Sequence, residues 1–214
     1  MRSSLFFLRS FLLPFAVWVV VGAGVIILSD QEELHVAINQ LNHPMLDVLF
    51  KYGTHLGDGL FGAFIVLLGF IYKLRYGLIG LLGLAGSGGL TQVLKRLVFG
   101  DHVRPSLALQ HMGDLHFVEG ITLHAHHSFP SGHATAAFAT FLFLALIAKN
   151  QSLAFICFLI GLLVAFSRVY ISQHFFEDIY VGSIIGTSVT FLAIYLLHAK
   201  TWGEKGAVAL IHRS

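Results

Sequence analysis

Three short stretches of this chain carry residue types suited to holding and transferring an anionic group. Lys95, Arg96 and Arg104-Pro105 form the first, Pro130-Ser131-Gly132-His133 the second, and Ser167-Arg168 with His174 and Asp178 the third. Lysine and arginine offer charge-assisted donors to phosphate oxygens, and arginine can bind two oxygens at once. Pro130 and Ser131 read as a helix start, where free backbone N–H groups and a partial positive charge attract an anion. Gly132 lets that anion come close to the backbone. His174 and Asp178 are four residues apart, so on a helix they are neighbours on one face. A carboxylate beside an imidazole fixes its tautomer and stabilises the cation formed during attack, the part played by the third member of a nucleophilic triad. His133 is a second imidazole, available as general acid.

The ordered set Lys95-x8-Arg104-Pro105, Pro130-Ser131-Gly132-His133 and Ser167-Arg168-x5-His174-x3-Asp178 resembles the three-part motif of the type-2 phosphatidic acid phosphatases. That superfamily also includes lipid phosphate phosphatases and vanadium haloperoxidases. The second and third parts match residue for residue. The first holds eight residues between Lys and Arg where the family pattern has six, which leaves Lys95 and Arg96 as alternatives for one phosphate-binding role. The resemblance implies hydrolysis of a phosphate monoester or diphosphate through a phosphohistidine, with neither metal nor cofactor. By it, His174 attacks phosphorus, Asp178 orients His174, and His133 protonates the leaving alkoxide. Lys95, Arg104, Ser131, Gly132 and Arg168 cradle the phosphoryl oxygens. The implied substrate is a lipid phosphate such as phosphatidate, phosphatidylglycerophosphate or an isoprenyl diphosphate. Two other readings are a transporter that uses its ionisable residues as a pathway and a vanadate-dependent peroxidase. Transporters place such groups near the bilayer midplane, whereas these gather at one interface; six membrane spans suit peroxidase chemistry poorly.

The elements that must position these residues are membrane helices. Of 214 residues, 56% are hydrophobic and 11% charged, and the mean hydropathy is +0.80. An ordinary soluble domain carries about 25% charged residues, so a soluble enzyme is excluded, as is a disordered chain. A net charge of +2 does not suit a nucleic-acid binder, and the single cysteine, Cys157, excludes an internal disulfide framework. Six apolar runs approach the roughly 20 residues a spanning helix needs: 11–29, 52–72, 76–96, 131–148, 150–168 and 177–199. They are continuously apolar rather than alternating, which predicts helices and not a barrel. The first run is too long for a signal-peptide core and lacks a cleavage pattern, so it reads as retained. The expected fold is all-α, one integral-membrane domain over 1–214 with six spans. A short interfacial helix is expected after the first span, from the helical spacing of Leu34, Ile38, Leu41, Met45 and Leu49.

With six spans the termini share a side. Arg2, Arg9, Lys73, Arg75, Lys149, Lys200, Lys205 and Arg213 lie there, against Lys51, Lys95, Arg96, Arg104 and Arg168 opposite, while of the acidic residues only Glu204 joins the termini. The bias predicts cytoplasmic termini in the inner membrane and an outward-facing site. Outside the motifs, Asp58 is the one charge in the second span; it reads either as a partner of a site cation or as an interfacial residue. His102, His111, His116, His124, His126 and His127 read as a polar loop capping the site rather than as a metal cluster. Gly86, Gly88 and Gly89 read as close helix packing, and Cys157 as a packed apolar residue.

Overall fold

The computed structural model describes residues 5–111, 115–198 and 202–203. Every regular element among them is helical. Helix α1 spans Arg9–Leu28, α2 Gln31–Asn39, α3 Pro44–Gly53, α4 Gly59–Tyr72 and α5 Leu74–Val93. A four-residue turn of helix, α6, covers Pro105–Ala108, and α7 Gly132–Ala148, α8 Gln151–Tyr170 and α9 Phe176–Leu197 complete the bundle. Helix α7 packs against α8, α9 and α5, and it lies at the centre. Its Ala134, Phe138, Leu142 and Leu146 are among the most deeply buried side chains.

Four helical segments are long and apolar enough to cross a membrane: Phe6–Leu28, Leu74–Val98, Gln151–Tyr170 and Phe176–Leu197. A fifth arises if Pro44–Gly57 and Gly59–Tyr72, bent by 50° at their junction, act together. The expected straight helix over 52–72 is therefore broken. Gly57 and Gly59 flank Asp58, whose backbone is extended at φ −70° and ψ 141°. Helix α7 has 17 residues, about 25 Å of rise, short of a hydrocarbon core of about 30 Å. Surrounded by protein on most sides, it has little need of the length that a lipid-facing helix requires.

The segment expected to form one surface helix forms two. Pro44 opens α3 and excludes helical backbone from the residue before it. His43 is accordingly extended, and its Nδ1 accepts from the Met45 N–H at 3.2 Å. The third predicted span runs on to Val98, its last turn, Leu94–Val98, being a π-helix closed by a bond from the Phe99 N–H to the Leu94 carbonyl at 2.9 Å.

Charge is divided between the ends of the bundle. Arg9, Lys73, Arg75 and Lys149 sit at one end, where Lys149 Nζ lies 5.6 Å from the ring centre of Tyr76. Lys95, Arg104 and Arg168 gather at the other. Arg2, Lys200, Glu204, Lys205 and Arg213 lie outside the described residues.

Candidate active site

The turn between α8 and α9 builds the centre of the site. Helix α8 ends at Tyr170, and Ser172 adopts left-handed backbone, φ 55°. The chain then doubles back, so that the N–H groups of Gln173 and His174 both donate to the Arg168 carbonyl, at 2.9 and 3.0 Å. A non-glycine residue in that region is strained and persists only where its surroundings hold it. Here His35 Nε2 lies 3.1 Å from Ser172 Oγ, and Asn39 Nδ2 donates to it at 3.4 Å. Asn39 also bonds the backbone of His116 in both directions, at 2.7 and 2.8 Å. His116 Nε2 and the Tyr170 hydroxyl then meet the two oxygens of Asp47, at 2.9 and 2.6 Å. The α2–α3 pair thus buttresses the turn that carries His174.

His174 Nδ1 lies 3.0 Å from Asp178 Oδ2, and the two side chains are 2% and 1% exposed. The same oxygen accepts from the Phe175 N–H at 2.9 Å and from the Ser128 hydroxyl. A buried carboxylate needs such donors, because an unpaired one is strongly unfavourable. With Nδ1 engaged by Asp178, Nε2 is the nitrogen turned toward the cations. Arg104 Nη1 stands 3.4 Å from it, held by the Gln173 carbonyl at 2.8 Å, while Arg104 Nε donates to the His126 carbonyl at 3.0 Å. Burial, then the charges of Arg104, Arg168 and Lys95, hold the His174 imidazole well below its ordinary pKa of 6.5. It is neutral near pH 7, as a nucleophile must be.

Helix α7 supplies the second motif. Ser131 caps it, its Oγ accepting from the Ala134 N–H at 3.3 Å, and its own N–H donates to the Asp178 carbonyl at 3.0 Å. That close approach depends on Gly182, where an added Cβ would stand 2.5 Å from the Ser131 carbonyl oxygen. Around Gly132 an added Cβ would meet nothing within 4 Å, so the helix start faces open space. His133 Nε2 lies 2.7 Å from Asp58 Oδ1.

Lys95 and Arg168 are 8% and 7% exposed. Arg168 Nη1 donates to Thr54 Oγ1 at 2.9 Å, while its buried Nε has no acceptor among the described residues. Arg96 is exposed. Of the two alternatives in the first motif, Lys95 is the one turned inward. Lys95 lies within the π-helical turn Leu94–Val98.

All eight predicted site residues therefore meet at one end of the bundle. Sequence reasoning missed Ser128, Gln173 and Thr54, which bear no motif signal, and left Asp58 open. His55, three residues before Asp58, was the available clue. The histidine loop contributes through backbone and side chains: the His124 carbonyl accepts from Ser106 Oγ at 2.8 Å, and the His126 carbonyl from Arg104. His102 packs edge-on to Phe99, and His111 lies 3.6 Å from Glu32. Among the described residues no group of three or more His, Cys, Asp or Glu side chains is placed to hold a metal ion. Of the glycines read as helix packing, Gly86 faces Val189 closely, whereas Gly88 and Gly89 meet nothing within 4 Å and Gly88 lines a cleft. Cys157 is half-buried against the core.

That cleft, about 640 Å³, lies between α4, α5 and α7. His133 and Gly132 stand at its polar end, and Val66, Leu67, Phe70 and Leu84 line the rest.

An apolar helical bundle with a histidine–aspartate pair set among three cations defines a class of membrane-embedded phosphoryl-handling proteins. The chain belongs to the PAP2 superfamily, whose family model matches residues 76–202. It is 30% identical over 171 residues to phosphatidylglycerophosphatase B of Bacillus subtilis (strain 168), covering 77% of this chain and 81% of that one. The crystal structure of Aquifex aeolicus LpxE superposes with a TM-score of 0.67 at 28% identity, over 76% of this chain and 93% of that one. The transmembrane PAP2-type phosphatidylglycerolphosphate phosphatase of Bacillus subtilis superposes at 0.64 with 25% identity, over 91% and 99%.

Proposed function

We propose that this protein hydrolyses lipid phosphates through a phosphohistidine formed on His174, without a metal. The observation that carries this reading is the neutral, Asp178-bonded His174, whose Nε2 is turned toward Arg104 with the charges of Arg168 and Lys95 bearing on the ring, while His133 and Gly132 of the same site line an apolar cleft. Such a site takes a phosphorylated headgroup while the acyl chains stay in an apolar environment. Phosphatidylglycerophosphate is the first substrate to test, since the Bacillus subtilis relative and solved structure are named for acting on it.

In the first step His174 Nε2 forms a bond to phosphorus as the phosphorus–alkoxide oxygen bond breaks, and His133 gives its proton to the leaving alkoxide. In the second, water attacks phosphorus, the P–N bond breaks, and the water proton returns to His133. Lys95, Arg104 and Arg168 balance the charge on the phosphoryl oxygens in both steps, with Ser131 and Gly132 offering the α7 start. The unmatched Arg168 Nε is a donor ready for such an oxygen.

Phosphate release from a panel of phosphatidylglycerophosphate, phosphatidate and isoprenyl diphosphate, with and without EDTA, tests the reaction. Turnover unaffected by EDTA, with acid-labile, base-stable label on His174 from a radiolabelled substrate, is expected. Label elsewhere, or activity in His174→Ala, overturns the mechanism.

Counting the bent pair and α7 as crossings gives six spans, with the termini on the side of Arg9, Lys73, Arg75 and Lys149. That side is the cytoplasm by its positive charge, and the site faces outward. Gln110→Cys in a Cys157→Ala background should react with an impermeant thiol reagent in intact cells; labelling only after lysis reverses the orientation.

A further inference from the structure

We infer that Asp58 is a positioning residue for the leaving-group acid, forming with His133 a second histidine–aspartate pair. This rests on the role of His133 proposed above. Asp58 occupies the cap position at the start of α4, where a carboxylate ordinarily accepts from the helix's first N–H groups. It makes no such bond. In the same protein Asp30, Ser131 and Asn150 do cap their helices through their side chains. Both Asp58 oxygens are directed instead to imidazoles: Oδ1 to His133 Nε2 at 2.7 Å, and Oδ2 to His55 Nδ1 at 2.8 Å.

The local chain is shaped for that contact. Gly57 lets the turn before Asp58 press against α7 and α8, since a Cβ there would stand 2.9 Å from Val164 Cγ1 and 3.1 Å from the His133 carbonyl. The extended backbone of Asp58 then aims its side chain across to α7 rather than along α4.

The charge balance gives the pair its purpose. His133 is faced by Arg168 from α8 and Arg104 from the loop before α6, with Asp58 the anion at hydrogen-bond distance. The cations that keep His174 neutral also oppose a protonated His133. A general acid must nevertheless hold its proton until the alkoxide departs. The Asp58 carboxylate supplies the opposing charge and fixes the ring. His55, 66% exposed against 35% for Asp58, holds the second oxygen from the solvent side.

The test compares Asp58→Asn with His133→Ala on an alkyl lipid phosphate and on an activated aryl phosphate, whose leaving group needs little protonation. Asn keeps the size of the side chain and can cap α4, and aryl phosphate turnover in the same sample reports folding. Asp58→Asn should lower kcat on the alkyl substrate roughly 10- to 100-fold, with KM within about twofold, and by a distinctly smaller factor on the aryl one. Added to His133→Ala, it should produce little further loss, as expected of residues acting through one another. Equal losses on both substrates, no loss, or full additivity overturns the Asp58 role while leaving His133 as the acid. A His133→Ala loss that is the same for both leaving groups overturns the acid assignment itself.

Discussion

The two histidine–aspartate pairs differ in almost every physical respect. His174 and Asp178 are neighbours in sequence, are 2% and 1% exposed, and lie in a web that engages Ser128, Phe175 and Arg104. His133 and Asp58 come from different helices, are 33% and 35% exposed, and are joined by one short contact with a histidine behind it. A fully buried charge needs several partners to be tolerated, and those partners also fix its geometry. A half-exposed pair is solvated, needs fewer partners, and exchanges protons with water readily. The first arrangement suits a nucleophile that must be neutral and aimed; the second suits an acid that gives a proton and regains it.

Removing the orienting anion of the buried pair should have the largest effect that leaves the fold standing. Asp178→Asn keeps a side chain able to accept from the Phe175 N–H and Ser128, but holds the imidazole without its charge. In a comparable triad the loss in kcat is about 10⁴-fold, and a loss of roughly 10³- to 10⁴-fold with phosphate affinity nearly retained is expected here. Steady-state kinetics with inorganic phosphate as competitive inhibitor checks both numbers. A loss no greater than that of Asp58→Asn would erase the distinction between the pairs.

The buried pair was legible in the sequence and the exposed one was not. His174-x3-Asp178 lies within one stretch, and helical spacing alone makes them neighbours. Asp58 and His133 are brought together only by the packing of α7 against the turn before α4, which no local spacing encodes. The same limit applies to the fold. Five of the six runs correspond to single helices because each is a continuous apolar segment. The run at 52–72 is broken at Asp58, where the flanking glycines outweigh its hydropathy. The surface helix split at Pro44 by a rule visible in the sequence. Ser128 and Gln173 bear no pattern, because their contacts exist only once the connection over 99–131 folds against the α8–α9 turn and the start of α9.

The choice between Lys95 and Arg96 sharpens the comparison from the cation side. Lys95 is buried among the charges that bear on His174, whereas Arg96 is exposed. A hydrogen bond to a charged group contributes about 1.5–3 kcal/mol, so Lys95→Ala should lower kcat/KM roughly 10- to 100-fold. Arg96→Ala should change it by less than about threefold. The reverse ranking would mean that the π turn unwinds when substrate binds and presents Arg96 instead.

The smallest effect expected concerns the support behind the buried pair. His35 is buried beneath Ser172, and burial lowers its pKa from 6.5 to about 4. The folded protein therefore holds it neutral, while the unfolded chain protonates it as pH falls through 6.5. The unfolded state binds more protons between those values, so stability is full above about pH 6.5 and declines as pH falls toward 4. His174, likewise held neutral, adds to the same slope. His35→Gln can still offer an amide to Ser172 Oγ and removes the His35 titration. Thermal unfolding of the variant in detergent should fall less steeply with acid than that of the parent, while activity at pH 7.5 changes by a few-fold at most. The support behind His133 is the half-exposed Asp58–His55 contact and not a buried imidazole, so acid should weaken the nucleophile's end of the site by loosening its turn. An unchanged slope in His35→Gln would remove His35 as a source of the acid sensitivity.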